Sequence, residues 1–278
     1  MPLAIDLFCG LGGWTDGLLA EGYDVIGFDI TQHVYGEQRY PAQLVVQDVT
    51  TLHGSQFKTA DLIVASPPCQ EYSYMAMPWK LAKAKAAAIR ADKTGKMLAD
   101  LNRLFDATFR IQREACEAAG RHIPLIVENV RGAGPWVGRA RWNYGSFYLW
   151  GDVPALMPPT FKASKVPGFR FDGSGKSFQT ASVQEHTKNN GGSWFNVAHN
   201  TTSGKGKNPV HALSGHKHRD HDGYERSHPQ AFGWKSPRTS SSNTSARKMA
   251  SATIAKIPLP LSRYIAATFR PQIAEAAE

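Results

Sequence analysis

Short apolar runs recur along the first half of the chain, and longer amphipathic stretches separate them. The runs have the length and the Val, Ile and Leu content of buried strands. The stretches have helical spacing; the first closes at Gly22 and the longest extends over about residues 80–119. Strands that alternate with helices predict a doubly wound α/β fold, with helices on both faces of a mostly parallel sheet. The predicted strands are residues 3–8, 25–30, 44–49, 61–66 and 124–130.

The pattern changes at about Val166, where Gly, Ser, Asn, Thr and His begin to dominate. Little regular periodicity remains up to residue 250, which is typical of loops. Aromatic residues still give this part something to bury, so we predict a small irregular domain at 166–250. The main domain then comprises 1–165 and 251–278. Its last helix, over about residues 259–269, is expected to pack on the first part of that domain.

Charge is uneven along the chain, whose formal net charge is +9 at pH 7. Residues 166–278 carry 15 Lys and Arg against 7 Asp and Glu, whereas residues 1–165 carry 17 against 16. The second part is therefore better suited to a polyanion, and a solvated cationic surface is the alternative.

Neither a membrane span nor a disulfide framework is indicated. No stretch approaches the roughly 20 apolar residues that a span requires. The three cysteines are widely spaced and include no Cys-x-x-Cys pair. We therefore expect a cytoplasmic protein, without a membrane partner, whose thiols are free.

A glycine-rich turn, CGLGG at 9–13, connects the first strand to the first helix. Backbone N–H groups of such a turn can receive a polar cofactor, although the same turn also serves to tighten a connection. Asp29 and Asp48 close the second and third strands, where a carboxylate accepts hydrogen bonds from ribose hydroxyls or caps a helix. Because parallel strands end at one edge of a sheet, these groups are expected to face one crevice.

A thiol and a carboxylate are expected at the same edge. Cys69, in SPPCQ, follows the fourth strand, and the two prolines before it restrict the backbone and hold the thiol in a fixed, accessible pose. Glu128, in VENV, ends the fifth strand, where a buried carboxylate is costly unless it has a partner or a function. Both residues are therefore candidates for chemistry rather than packing.

The three motifs DLFCGLGG, SPPCQ and VENV occur in the order of the cofactor, nucleophile and glutamate motifs of the cytosine-5 DNA methyltransferase family, which the chain resembles. DLNRLFDATFRI at 100–111 also resembles the segment that follows that family's nucleophile loop. The resemblance implies a Rossmann-like class I methyltransferase fold, S-adenosyl-L-methionine as cofactor and double-stranded DNA as partner. It also implies that 166–250 is a target-recognition domain, beside a catalytic and cofactor-binding main domain. We expect a monomer, similar to the compact phage and bacterial enzymes.

The resemblance implies a role for each matching residue. Cys69 adds as a thiolate to cytosine C6, which turns C5 into a nucleophile for the methyl group. Glu128 hydrogen-bonds or protonates N3, and Asn129 orders the loop. The residues implied for cofactor binding are Phe8, Gly10, Leu11, Gly12, Asp29, Ile30, Asp48, Val49, Pro68 and Leu104.

A cytosine inside a duplex has to be flipped out before it can react, at a cost of a few kcal/mol. The residues expected to contact the nucleic acid follow the nucleophile: Gln70, Ser73, Lys80 and Lys83, with Lys85 beside them. For the lysines, an exposed helical face without DNA contacts is an equal alternative. The histidines between residues 211 and 228 are assigned to DNA contacts or loop hydrogen bonds, and no metal site is predicted.

Two segments depart from the family pattern. The family's Gln-Arg-x-Arg run is absent, and GRARWNYG offers Arg139 or Arg141 for the contact with cytosine O2. Near the C-terminus, the family's Gly-Asn-Ser/Ala-Val is replaced by IAKI, which includes Lys256. An ammonium there would repel a sulfonium and attract the carboxylate of carboxy-S-adenosyl-L-methionine, which would deliver a carboxymethyl group. The alternative is a lysine that faces DNA phosphate or solvent.

Two other functions fit the same motifs. A related class of enzymes acts on cytosine in tRNA, and the basic irregular insert favours duplex DNA over it. A catalytically inactive DNA-binding relative would bind without turnover. The intact PPCQ and ENV sequences favour an active enzyme.

Overall fold

The computed structural model describes residues 1–73, 79–157, 248, 252–253 and 255–271. Most of them belong to one unit, formed by Met1–Pro159 and Lys256–Glu278. Apart from Lys248, the predicted domain at 166–250 and its histidines lie outside the described residues. The boundaries of that domain therefore stay predictions.

The described residues form one seven-stranded sheet, with the strand order β3-β2-β1-β4-β5-β7-β6. The first five strands run parallel, and β7 is antiparallel to both of its neighbours. The mostly parallel sheet predicted from the apolar runs is confirmed. The strands are β1 Leu3–Leu7, β2 Asp24–Asp29, β3 Gln43–Val46, β4 Leu62–Ala65, β5 Leu125–Asn129, β6 Trp142–Tyr144 and β7 Phe147–Gly151.

Helices cover both faces of this sheet. They are α1 Gly13–Ala20, α2 Trp79–Ala91, α3 Lys96–Ala119, α4 Gly134–Val137 and α5 Leu259–Phe269. Single turns of 3₁₀-helix occupy Val49–Thr51, Gly54–Phe57 and Arg131–Ala133.

The long helical stretch predicted over about 80–119 is divided by a break that was not predicted, since two helices occupy it. Between α2 and α3, Gly95 has a left-handed φ of 72°. The carboxylate of Asp92 accepts hydrogen bonds from the backbone N–H groups of Thr94 and Met97, at 2.9 and 2.7 Å. An Asp side chain that bonds nearby backbone N–H groups competes with the helix, and the glycine completes the break.

Alternate residues of the strands point to two cores. On one face, Ile5 and Ile63 pack with Phe105 of α3. On the other, Val64 packs with Trp14 of α1 and Leu261 of α5. The doubly wound arrangement and the packing of the terminal helix on the first domain are thus confirmed.

Helices α1 and α5 approach each other closely at Gly17. A Cβ built on Gly17 would lie 2.3 Å from Ser262 Oγ and 2.4 Å from the Ser262 carbonyl carbon. No side chain fits at that separation, so a glycine is needed where the two helices meet.

Gly17→Ala is expected to lower the free energy of unfolding by about 1–3 kcal/mol, because the added methyl group overpacks the contact between α1 and α5. Urea denaturation measures the change. Gly134→Ala is the control, since Gly134 has helical backbone angles and open space around it. That variant is expected to stay within about 0.5 kcal/mol of the wild type. Equal stabilities for the two variants would contradict the close approach.

Candidate active site

The turn from β1 to α1 has an unusual backbone. Gly10 and Gly12 adopt left-handed φ angles of 53° and 74°, and Phe8 also has a positive φ, of 57°. Among the described residues, Phe8 is the only non-glycine with a positive φ. This backbone conformation costs a bulky residue about 1–3 kcal/mol. The surrounding structure imposes this conformation on the half-buried Phe8, at the place where a cofactor is predicted. No sequence signal indicates the strain.

Asp29 holds this turn in place. Gly10 N donates to its Oδ2 at 2.9 Å, and Thr31 N donates to its Oδ1 at 3.3 Å. The residue is only 8% exposed. Asp29 therefore connects the end of β2 to the glycine turn, and a bond to ribose would be additional to these contacts. Ile30, the next residue, is 69% exposed at the same edge.

Asp48 caps a 3₁₀-helix and does not end a strand, because β3 already stops at Val46. The N–H and the hydroxyl of Thr50 both donate to Asp48 Oδ1 at 2.8 Å, and these bonds lower the pKa of Asp48. The capping alternative is thus observed. Val49 is buried in the core, so a cofactor could reach only its backbone.

Asp6 is a buried carboxyl group beneath the glycine turn that the sequence did not single out. Thr15 Oγ1 donates to its Oδ2 at 2.6 Å and also lies 2.7 Å from the Tyr40 hydroxyl. Its Oδ1 is buried without a hydrogen-bond partner among the described residues. Burial raises the pKa of Asp6 to about 7, and the Thr15 bond offsets part of the effect. The only hint in the sequence is an Asp inside an apolar strand.

The residues around Cys69 form a tight turn with anchors on its N-terminal side. The N–H groups of Tyr72 and Ser73 donate to the Cys69 carbonyl at 3.1 and 2.9 Å. Before Cys69, Trp14 Nε1 of α1 donates to Ser66 Oγ at 3.1 Å. Cys69 itself is half-buried. The turn is therefore attached to the first turn of α1, next to the glycines.

Asn129 attaches the same turn to β5. Its Nδ2 donates to the Pro67 carbonyl at 3.0 Å, and its side chain is fully buried. The neighbouring Glu128 is 9% exposed. Ala65 of β4 pairs with Val127 of β5, so the two strands end at one edge. The structure thus brings the cysteine turn, the glutamate strand and the glycine turn to the same edge.

The two arginines predicted to contact cytosine O2 lie on the antiparallel side of the sheet. Leu149 pairs with both Glu128 and Trp142, so Arg141 is one residue farther from the carboxyl edge than Glu128. Arg139 and Arg141 are both exposed, and the O2 contact stays a prediction for them. Arg131 lies two residues after the end of β5, at the carboxyl edge, and is also exposed. It was not among the residues singled out from the sequence.

Helix α2 presents lysines on one face and buries alanines on the other. Lys80 and Lys83 are exposed, whereas Ala82 and Ala86 are buried. Lys85 forms a salt bridge with Glu71. The exposure of the lysines fits both alternatives, DNA contact and solvated face.

The other residues predicted to bind DNA or cofactor are distributed as follows. Gln70 and Pro68 are exposed beside Cys69, and Ser73 is only 8% exposed. Leu11 is buried in the glycine turn. Leu104 is half-buried on α3.

Lys256 lies against the first turn of α1. Its Nζ is 2.6 Å from Asp16 Oδ2, and a Cβ built on Gly13 would come 2.9 Å from its Cγ. The ammonium is thus near the glycine turn and already has a carboxylate partner. This ion pair was not predicted, because Asp16 and Lys256 are far apart in sequence.

A doubly wound sheet with a glycine turn after β1, a cysteine turn after β4 and Glu-Asn at the end of β5 defines an α/β class I methyltransferase fold. Residues 3–107 match the family model described as C-5 cytosine-specific DNA methylase. The match supports a cytosine-5 DNA methyltransferase family for that part of the chain, as the motifs indicated. It includes the glycine turn and Cys69 and ends before Glu128 and Lys256.

Two solved structures are similar to parts of the chain. A DNA modification methyltransferase encoded within an E. coli prophage is 25% identical over 48% of this chain and 33% of that chain, with a TM-score of 0.32. The Entamoeba histolytica methyltransferase EhMeth is 18% identical over 49% of this chain and 40% of its own, with a TM-score of 0.29. The chain thus spans less than half the length of either relative. No curated protein matches the chain.

The helices that the structure describes include none long and apolar enough to cross a membrane. Within the same residues, no group of three or more His, Cys, Asp or Glu side chains could hold a metal ion.

Because the pKa of Asp6 is raised, the free energy of unfolding is expected to depend on pH. The pKa in the folded protein is about 7, against 3.8 for an ordinary Asp, so the folded state keeps a proton that the unfolded chain releases. The stabilisation is complete below about pH 4 and is lost as the pH rises to about 7. The Asp6→Asn side chain cannot ionise, so the variant does not lose this stabilisation as the pH rises. The free energy of unfolding of the variant, minus that of the wild type, should therefore increase between these pH values by up to about 1.4 kcal/mol per unit.

Urea denaturation at several pH values between 4 and 8 measures this difference. Asp24→Asn, at an exposed aspartate on β2, is the control and is expected to give no such rise. A difference for Asp6→Asn that does not change with pH would contradict the burial of an ionisable Asp6.

Proposed function

We propose that this chain is a DNA cytosine-5 methyltransferase, which transfers a methyl group from S-adenosyl-L-methionine to C5 of a flipped cytosine. The observation that carries the proposal is the bond from Asn129 Nδ2 to the Pro67 carbonyl, at 3.0 Å. It fastens the turn that bears Cys69 to the strand that bears Glu128. The family match over residues 3–107 includes the turn that bears Cys69, which supports a role for this thiol in cytosine methylation.

The residues at the glycine turn fit the proposed cofactor. A Cβ built on Gly10 would meet nothing within 4 Å, so the turn is open on that side. Phe8, in its strained conformation, precedes this turn, and the Asp29 carboxylate accepts a hydrogen bond from Gly10 N. Phe8, Gly10 and Asp29 would hold the cofactor, with the exposed Ile30 beside them. When bound, S-adenosylmethionine supplies an electrophilic methyl group.

Cys69 and Glu128 divide the chemistry on cytosine. The Cys69 thiolate forms a bond to C6 while Glu128 gives a proton to N3, so the ring becomes an enamine with electron density at C5. C5 would then form its bond to the methyl group as the bond between that methyl group and the cofactor's sulfur breaks, which would leave the sulfur as a neutral thioether. Loss of the C5 proton to a base and breakage of the bond from C6 to Sγ restore the aromatic ring and free the thiolate. The carboxylate of Glu128 takes back the N3 proton in the same step.

Duplex DNA is favoured as the partner by the charge distribution. Lys80 and Lys83 are exposed on the helix that follows the nucleophile turn. Residues 166–278 carry most of the net positive charge. Contacts with phosphates position a duplex without reading its sequence, and these lysines suit that role.

Trapping on DNA that contains 5-fluorocytosine tests this function. Fluorine at C5 cannot leave as a proton does, so the wild-type protein with cofactor is expected to form a stable covalent adduct, seen as a shifted band in denaturing gels. Cys69→Ser should form none. Glu128→Gln should lower methyl transfer by about 10²–10⁴-fold.

Cys116→Ser is the matched control. This half-buried cysteine lies on α3, where its Sγ accepts a hydrogen bond from Ile123 N at 3.2 Å, and its variant should form the adduct normally. An adduct on tRNA alone would favour the tRNA enzyme. DNA binding without any adduct would favour an inactive relative, and both results would refute the proposal.

A second candidate is carboxymethyl transfer from carboxy-S-adenosyl-L-methionine. The observation that favours it is the position of Lys256 beside the glycine turn, where its Cγ would lie 2.9 Å from a Cβ built on Gly13. Its pairing with Asp16 at 2.6 Å weighs against it, because the donor's carboxylate would have to replace or share that partner.

Donor competition separates the two candidates. With equal amounts of both donors, Lys256-dependent selection predicts 5-carboxymethylcytosine in the wild type and its loss in Lys256→Met, measured by nucleoside mass spectrometry. Lys96→Met is the control, because Lys96 pairs with Asp100 on the exposed surface of α3. If 5-methylcytosine is the sole product of the wild type, the second candidate is wrong.

A further inference from the structure

The cysteine turn, which bears the proposed nucleophile, is held by contacts after Cys69 as well as before it. We propose that Tyr72 and Asn102 are positioning residues that hold the turn of Cys69 against the segment following the glutamate strand. This inference rests on the proposed function, since it concerns how the thiol of Cys69 is aimed.

Tyr72 lies three residues after Cys69 and points into the protein, with 3% of its surface exposed. Its hydroxyl lies 3.1 Å from Asn102 Oδ1 and 3.2 Å from the Leu101 carbonyl, both acceptors on α3. Tyr72 N also donates to the Cys69 carbonyl. One side chain therefore joins the nucleophile turn to α3.

Asn102 continues this connection. Its Nδ2 donates to the Trp136 carbonyl at 2.9 Å, and the residue is 7% exposed. A carbonyl can only accept, so the amide must present its N–H₂ group to Trp136 and its oxygen to Tyr72. Trp136 belongs to α4, which follows β5 and Glu128 in the chain. Tyr72 and Asn102 thus connect the cysteine turn to the segment beyond the glutamate.

Cys69 lies between two sets of anchors. Trp14 and Asn129 hold Ser66 and Pro67 before it, whereas Tyr72 holds the chain after it. With the first set alone, the turn would be held only on the side before Cys69. A displacement of about 1 Å at a reacting group can cost about 10²-fold in rate, so the second set has a direct consequence for the reaction.

The polar character of Tyr72 and Asn102 favours a positioning role over a packing role. A Phe and a Leu would fill the same space without burying a hydroxyl and an amide, which are costly when unpaired. Hydrogen bonds add direction, because each holds a donor to one acceptor at a defined angle. The contact with Trp136 extends further, since the Arg90 guanidinium of α2 lies 5.2 Å from the centre of the Trp136 ring. Helix α2, which carries the exposed lysines, thus also contacts Trp136.

Tyr72→Phe tests the proposal, with Tyr23→Phe as matched control. Tyr23 is also buried, and its hydroxyl donates to the Ala266 carbonyl at 3.1 Å, between β2 and α5. Both variants lose one buried hydroxyl bond, and similar decreases in the urea midpoint are expected. Only Tyr72→Phe is expected to lower kcat for DNA methylation, by about ten-fold or more, with KM for DNA and cofactor affinity within about two-fold of the wild type.

Hydrogen exchange of the Tyr72 and Ser73 amides gives a readout that needs no enzymatic activity. Both amides donate to the Cys69 carbonyl, so loosening the turn should raise their exchange about ten-fold in Tyr72→Phe and leave it unchanged in Tyr23→Phe. Asn102→Leu should give the same increase. Because the two residues act as one connection, the double variant should add little to either single change. Asn102→Leu also replaces Tyr72→Phe should the latter fail to fold.

Unchanged exchange in both variants would overturn the anchoring, and faster exchange with an unchanged kcat would overturn the role in the reaction. If the wild-type protein methylates no DNA, the proposed function fails. The exchange measurement then decides on the anchor alone.

Discussion

The carbonyl of Pro67 and the side chain of Asn129 meet in the interior, where neither can find water. Strand β4 has ended by that point, and the prolines that follow it have no N–H to continue the ladder of the sheet. The Asn129 amide provides the replacement partner, at 3.0 Å. The position of the cysteine turn relative to β5 depends on this bond, because it ties the chain that follows β4 to the strand that bears Glu128.

The parallel sheet creates the site by collecting strand ends, and side chains then connect those ends. Asp29 joins the end of β2 to the glycine turn after β1. Trp14 joins α1 to the start of the cysteine turn. Each of these bonds lies between segments distant in sequence. Such bonds restrict where the turns can move relative to one another, which preorganises a site more than contacts within one loop do.

The sequence predicted most of the main domain because apolar runs report burial directly. The strands, their parallel direction and the terminal helix at 259–269 agree with the structure. The break between α2 and α3 was not predicted, because the stretch ADKTG has the polar composition of an exposed helical segment. Only its Asp and Gly together indicate a turn. The candidate catalytic residues could be proposed from the sequence because each lies in a contiguous motif.

What the sequence could not provide were contacts between distant positions. The pair of Lys256 and Asp16 joins residues from opposite ends of the chain, and no spacing rule connects them. Asp6 Oδ1, which has no hydrogen-bond partner within the described part of the chain, and the positive φ of Phe8 are properties of the folded structure. The depth of Arg141 along the sheet follows from strand register, which a short edge strand leaves weakly specified in sequence.

The contact between α1 and α5 also has a consequence for protein synthesis. Leu18 and Val64 on one face of the sheet are covered by Leu261 and Ile265, which the ribosome makes long after β7. At about 5–20 residues per second, the roughly one hundred residues between Gly151 and Leu259 delay the cover that α5 adds to this face by about 5–20 seconds. During this interval the nascent chain offers a surface to chaperones and to other nascent chains. Completion of the domain thus waits for α5, and the same delay makes the unfinished chain prone to aggregation.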